Sequence, residues 1–187
     1  MESSDDHAGR VRGLRRSEYE QLIALGAFHD EPIELVRGAL VTMSPQGEPH
    51  AWSTAELHRS LVKQLDDEWQ VRSHSGLAVA DDSMPEPDVA VVPFDPERRR
   101  PTAAVLVVEV SFSSLRFDRG VKAALYAEAG VPTYWIVDLV GRRVHVHTEP
   151  RDGSYQRLAT HPAGASLSID GLPGVVVATA PLFPPEP

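Results

Sequence analysis

The sequence predicts a mixed α/β (α+β) domain organised around one central sheet. Three observations carry that expectation. Helix-periodic and strand-like segments follow one another in the order helix, hairpin, long helix, strands, helix and strands again. The most apolar stretch, residues 103–110, has the length and composition of a central strand buried on both faces. The 187 residues, 42% apolar and 24% charged, suit one ordinary domain and exclude a disordered acidic tail or a fibrous repeat.

Residues 1–13 are polar and charged without apolar periodicity and read as a flexible tail. Ser17-Glu18-Tyr19-Glu20 then has the form of a capping box, and Tyr19, Leu22 and Ile23 recur at helical spacing before Gly26. Residues 33–36 and 39–43, joined by Arg37-Gly38, read as a hairpin, and Pro45-Gln46-Gly47 breaks the chain. From residue 50 to residue 69 the pattern is helical, with Leu57, Leu61 and Leu65 on one face, joined by Val62 and Trp69. Residues 71–80 read as two weak strands around Ser75-Gly76. Pro85 and Pro87 bar a helix, so 88–92 is expected as a short buried strand. Residues 94–101 form a loop, and 118–129 a helix closed by Gly130 and Pro132. Strands are expected at 134–139, 143–148 and 175–178, and a proline-rich tail at 184–187.

Charge and composition narrow the function. With 27 acidic and 18 basic residues the net charge is −9, which argues against a protein that coats nucleic acid through bulk positive charge. Without cysteine there are no disulfides, thiolate zinc sites or cysteine nucleophiles. No apolar run approaches the roughly 20 residues that cross a bilayer, and the N-terminus lacks the apolar core of a signal peptide. No membrane association and a cytoplasmic location are the expectation. Of the 18 basic residues only Lys63 and Lys122 are lysine, so a lysine here asks what arginine could not do.

Two acids stand out. Asp88 enters one apolar strand and Glu109 lies near the end of another, where a bare carboxylate is costly. Carboxylates on neighbouring strands make a hard oxygen site suited to Mg²⁺ or Mn²⁺. Lys122 follows on a helix, sharing a face with Asp118 and Tyr126. These parts suit phosphodiester hydrolysis, with a lysine able to hold or deprotonate water. The plainer alternative is an ion pair between Glu109 and Lys122 that only ties helix to strand.

Other residues have weaker claims. His58 is eight residues beyond His50, not the four of a helical metal pair. His145 and His147 alternate on one strand face and read as an exposed edge. Arg98, Arg99 and Arg100 form a basic loop, either a contact for a DNA backbone or a solvated surface. Tyr134 and Trp135 read as core. Phosphate-binding glycine loops and nucleophile elbows are absent.

The stretches EPIELVRGALVTMSP, PEPDVAVV, LVVEVS, DRGVKAALYAEAGVPTYWIVDL and LPGVVV, in this order, resemble the Uma-two family of restriction-endonuclease-like proteins. The resemblance runs from about Ser17 to Phe183, so residues 14–183 are expected as a single restriction-endonuclease-like domain. It implies the PD-(D/E)XK nuclease core, a central four-stranded mixed sheet flanked by helices. Carried over position by position, Asp88 matches the metal-binding aspartate, Glu109 the second acid, and the Val110 carbonyl a further metal contact. Ser111 stands where the superfamily's usual lysine would be, and Lys122 fits as its migrated replacement. Glu34 matches another characteristic acid, and His50 opens the long helix as in the family, near the phosphate or in a packing role. The resemblance implies an endonuclease using Mg²⁺ or Mn²⁺ on nucleic acid, with DNA the expected substrate and a homodimer the expected form for cutting two strands. The alternatives are a catalytically silent nuclease-fold binding or assembly protein, and an enzyme for small phosphodiesters.

Overall fold

The computed structural model describes residues 12–43 and 45–185. The expected terminal tails therefore fall mostly outside the described residues. The chain runs α1 (Arg16–Ala24), β1 (Ile33–Val36), β2 (Ala39–Thr42), α2 (Glu48–Val62), β3 (Trp69–Arg72), β4 (Val89–Pro93) and β5 (Leu106–Ser111). A composite helix follows: α3 (Leu115–Phe117), a π-helical turn (Asp118–Lys122) and α4 (Ala123–Glu128). Then come β6 (Thr133–Asp138), β7 (Arg143–Arg151), β8 (Ser154–Pro162), β9 (Ser166–Ile169), β10 (Leu172–Ala178) and a 3₁₀ turn (Ala180–Leu182).

A six-stranded mixed sheet in the order β3-β4-β5-β6-β7-β8 forms the centre. Only β5 and β6 pair in parallel, and the composite helix is the crossover that joins them. β5 and β6 are buried at every position, which is why their sequences read as continuous apolar runs. On one face Leu57 and Leu61 of α2, with Leu167, Val177 and Leu182, pack on Val89, Val91, Val108 and Trp135. On the other, Ala123 and Tyr126 pack on Ala90, Val107, Tyr134 and Ile136. Tyr19 of α1 closes a smaller cluster with Ile33, Leu35 and Met84, and its hydroxyl donates to the Ile33 carbonyl at 2.6 Å.

Several local expectations shift, each for a visible reason. The capping acid of α1 is Glu18, not Glu20: its carboxylate accepts from the Arg15 N–H at 2.8 Å. α2 ends at Val62 and Trp69 opens β3, because Asp66 accepts from the Glu68 N–H at 3.1 Å and turns the chain. The second weak strand within 71–80 does not form. Leu77 and Ala78 donate their N–H groups to the carbonyls of Pro85 and Pro101, residues that have no N–H to return. β8 and β9 escaped the sequence reading. β8 is an edge strand with mostly exposed or half-exposed side chains, so it carries almost no apolar alternation. The central sheet has six strands where four were expected, and β9 pairs with β10 in a separate two-stranded ribbon. No helix among the described residues is long and apolar enough to cross a membrane.

Candidate active site

Strand register brings the acids together. β4 and β5 are antiparallel with Val89 opposite Val108, so Asp88, one step before β4, faces the end of β5 where Glu109 and Val110 lie. Asp88 Oδ2 accepts from the Val110 N–H at 2.7 Å. In an extended strand the N–H and carbonyl of one residue point to the same edge, so the Val110 carbonyl also faces Asp88, past the end of β4. His50 Nε2, in the first turn of α2, stands 3.1 Å from Asp88 Oδ2. Gln46 Nε2 at 3.3 Å and His74 Nδ1 at 3.4 Å flank Oδ1.

The opposite half centres on Lys122. Its Nζ donates to Glu34 Oε2 at 2.7 Å and to Glu109 Oε1 at 3.0 Å, and all three side chains are buried. Tyr126 OH donates to the same Glu109 oxygen at 2.7 Å. Glu34 Oε2 also accepts from the Glu86 N–H at 3.0 Å. Asp118 is buried beside them and accepts from the Ser111 and Ser114 hydroxyls. The π-helical turn helps to aim these groups inward. Ala123 N–H bonds back five residues to the Asp118 carbonyl, which also accepts from Tyr134 OH at 3.1 Å. A side chain inserted into the helical ladder in this way widens the turn.

Two carboxylates, Glu34 and Glu109, therefore close on one lysine, with Asp88 and Asp118 in the same pocket. Burial, reinforced by Asp88, Asp118 and Glu34, pushes Glu109 above the ordinary carboxylate range, and the opposing charge of Lys122 holds it back. Asp118 is likewise raised, burial outweighing the hydrogen bonds from Ser111 and Ser114. Burial alone would lower Lys122, but the charges of Glu109 and Glu34 and the bonds to them hold its ammonium above the ordinary lysine range. The two carboxylates therefore favour the charged ammonium and oppose the proton loss that desolvation alone would promote.

The residues fit a hard divalent ion in kind. The acids are oxygen donors, the Val110 carbonyl faces the same side, and the negative surplus calls for a cation. Hydrogen bonds occupy that role in this structure: both Asp88 oxygens face donors, and Glu109 Oε1 takes two. Among the described residues no three His, Asp or Glu side chains stand together at metal-binding spacing. A pocket of about 360 Å³ opens over the site, lined by Glu34, His50, Asp88, Val110, Asp118 and Lys122 together with apolar side chains.

Asp88, Glu109, Val110, Lys122, Glu34 and His50 thus assemble as one cluster. The arginines do not. Arg98 and Arg99 lie past the far end of β4 from Asp88, where Arg99 pairs with Asp95 at 2.8 Å. Arg100 stands 3.3 Å from Glu20 of α1. His145 and His147 are buried, not on an exposed edge, because β8 pairs alongside β7 and covers it. The sequence reading missed Tyr126, Gln46 and His74 as partners of the acids. For Tyr126 the signal was present in its four-residue spacing from Lys122. Gln46 and His74 sit outside helices and strands and left none.

Comparison with known proteins agrees with this architecture. The family Uma2, described as "Putative restriction endonuclease", matches residues 16–180. A crystal structure described as a putative nuclease belonging to DUF820, from Anabaena variabilis, superposes with a TM-score of 0.65 at 15% identity. The match covers 85% of this chain and 96% of that one. At that identity the likeness speaks for the fold. No curated protein matches.

Proposed function

The chain belongs to the Uma-two family of restriction-endonuclease-like proteins, and from that membership and the site's geometry we propose a metal-dependent nuclease that hydrolyses phosphodiester bonds in DNA. The observation that carries the reading is the convergence of Asp88, Glu109 and Lys122 at one end of the sheet, beneath an open pocket. Asp88, Glu109 and the Val110 carbonyl would hold Mg²⁺ or Mn²⁺. When bound, the ion neutralises phosphoryl charge and lowers the pKa of a water. Glu34 and Glu109 fix the Lys122 ammonium, which then offers preorganised positive charge to an oxyanion that develops in the pocket. Tyr126 holds Glu109 in place from the helix side. His50 and Gln46 orient Asp88, whose second bond to Val110 N–H locks the carboxylate to β5.

The test is cleavage of DNA with Mg²⁺ or Mn²⁺ by the wild type beside Asp88→Ala and Lys122→Ala. Metal-dependent cleavage that both substitutions abolish is the expected result. Equal cleavage by all three proteins, or none on any nucleic acid, defeats the proposal.

One observation favours a second reading, a catalytically silent binding protein. Glu109 is engaged by Lys122 and Tyr126, as expected of an acid that only ties helix to strand. Calorimetry separates the two: a silent protein takes up neither Mg²⁺ nor Mn²⁺.

A further inference from the structure

The pocket over Asp88 has a mixed lining. Glu34, Asp88, Asp118 and Lys122 supply charge, and Val41, Met43, Pro45, Phe112 and Phe117 supply apolar surface. Phe112 follows β5 directly, two residues after Val110, and is 65% exposed even though it lines the pocket. Single exposed apolar side chains are common on protein surfaces; among the exposed large hydrophobics described, Phe112 is the one that lines this pocket, so its ring faces whatever enters.

Electrostatics narrow what can enter. Among the described lining residues Lys122 is the only Lys or Arg, and it is already bonded to two carboxylates. A double helix is held chiefly through several cation–phosphate contacts, and this mouth offers one at most, Lys122. Arg98 and Arg99 stand at the other end of β4. An unpaired nucleotide can draw part of its binding from stacking its base on an aromatic face, which a base inside a duplex does not offer. A pocket of about 360 Å³ lies in the size range of sites for small ligands and is large enough for a nucleotide unit.

We infer that the site takes an unpaired nucleotide, its base stacked on Phe112 and its phosphodiester directed to Asp88 and Lys122. This rests on the nuclease reading and names the substrate class within it: single-stranded nucleic acid or a short oligonucleotide, not intact duplex.

The experiment is fluorescence anisotropy with a labelled single-stranded oligonucleotide, the same sequence as a duplex, and a dinucleotide, each with and without Mg²⁺. The proteins are the wild type, Phe112→Ala, Phe112→Trp and Phe94→Ala, the last altering an exposed phenylalanine outside this pocket. Single strand is expected to bind at least about tenfold more tightly than duplex. Phe112→Ala should weaken it about 5- to 100-fold, while Phe112→Trp restores it and Phe94→Ala leaves it unchanged. A dinucleotide bound as tightly as the longer strand, with the same Phe112 dependence, supports the site and assigns it to small substrates. Equal affinity for duplex, no binding to any of the three, or an affinity indifferent to Phe112 overturns the inference. So does a concentration-dependent dimer by sedimentation that Phe112→Ala abolishes, which would make the ring a contact between copies. Binding needs no turnover, so Phe112-dependent binding without cleavage defeats the hydrolytic reading alone, and cleavage of duplex indifferent to Phe112 defeats this inference alone.

Discussion

Lys122 and Glu109 meet at 3.0 Å across the crossover that joins β5 to β6, both buried. The contact joins the strand that carries the candidate metal ligand to the helix that covers it. In the proposed nuclease it serves folding and chemistry together, so substitutions here should move both.

Lys122→Ala leaves Glu34 and Glu109 buried without their cation. Loss of one partner of a buried ion pair costs roughly 3–5 kcal/mol. Urea denaturation should show a loss of that order along with abolished cleavage. A variant as stable as wild type would mean that the carboxyls are relieved in another way.

Tyr126→Phe keeps the ring and removes only the hydroxyl that donates to Glu109 Oε1. Stability should fall by about 1–2 kcal/mol, less than for Lys122→Ala, with cleavage reduced but present. Asp88→Asn preserves an acceptor for the Val110 N–H, so its melting temperature should stay near wild type while calorimetric Mg²⁺ or Mn²⁺ binding is lost.

His147 supplies a pH dependence remote from the acids. It lies between Tyr134 and Tyr155, ring centroids 5.5 and 5.6 Å away, and burial, with His145 and Arg119, pulls it from 6.5 down to about 4. The unfolded chain takes up a proton below about 6.5 that the folded chain refuses until about 4. Stability contributed by the neutral ring is therefore complete above that window and is lost as pH falls through it. His145 is shifted in the same direction by burial. Denaturation midpoints measured between pH 7 and pH 4 should fall less steeply in His147→Phe than in wild type.

Gly38 sits at φ +77°, and a Cβ there would stand 2.9 Å from the Gly13 Cα. Leu14 N–H donates to the Gly38 carbonyl at 2.9 Å, so the two segments are held together. Gly38→Ala should cost more than about 1 kcal/mol, read as a lower melting temperature.

The legible part of the site was the part that breaks a pattern. Asp88 and Glu109 interrupt apolar strands, and a buried acid demands a partner, so each announced itself before any coordinates. Lys122 stood out as one of two lysines among sixteen arginines. Gln46 and His74 break no pattern, and only the folding of two separate segments onto Asp88 reveals them. β8 was silent for a related reason, since an edge strand buries too little to need alternation.

The sequence by itself determined the mixed α/β class, the buried central strands and the candidate acids, because burial and period are written into residue type and spacing, and its ordered motifs carried the family resemblance. Tertiary structure alone decided three things. The β4–β5 register put Asp88 against Val110, Glu34 and Glu109 closed on Lys122, and the chain's path sent Arg98 and Arg99 away from the acids. Each depends on distances between residues remote in sequence, and a carboxylate's neighbours set its charge state more strongly than its own chemistry does.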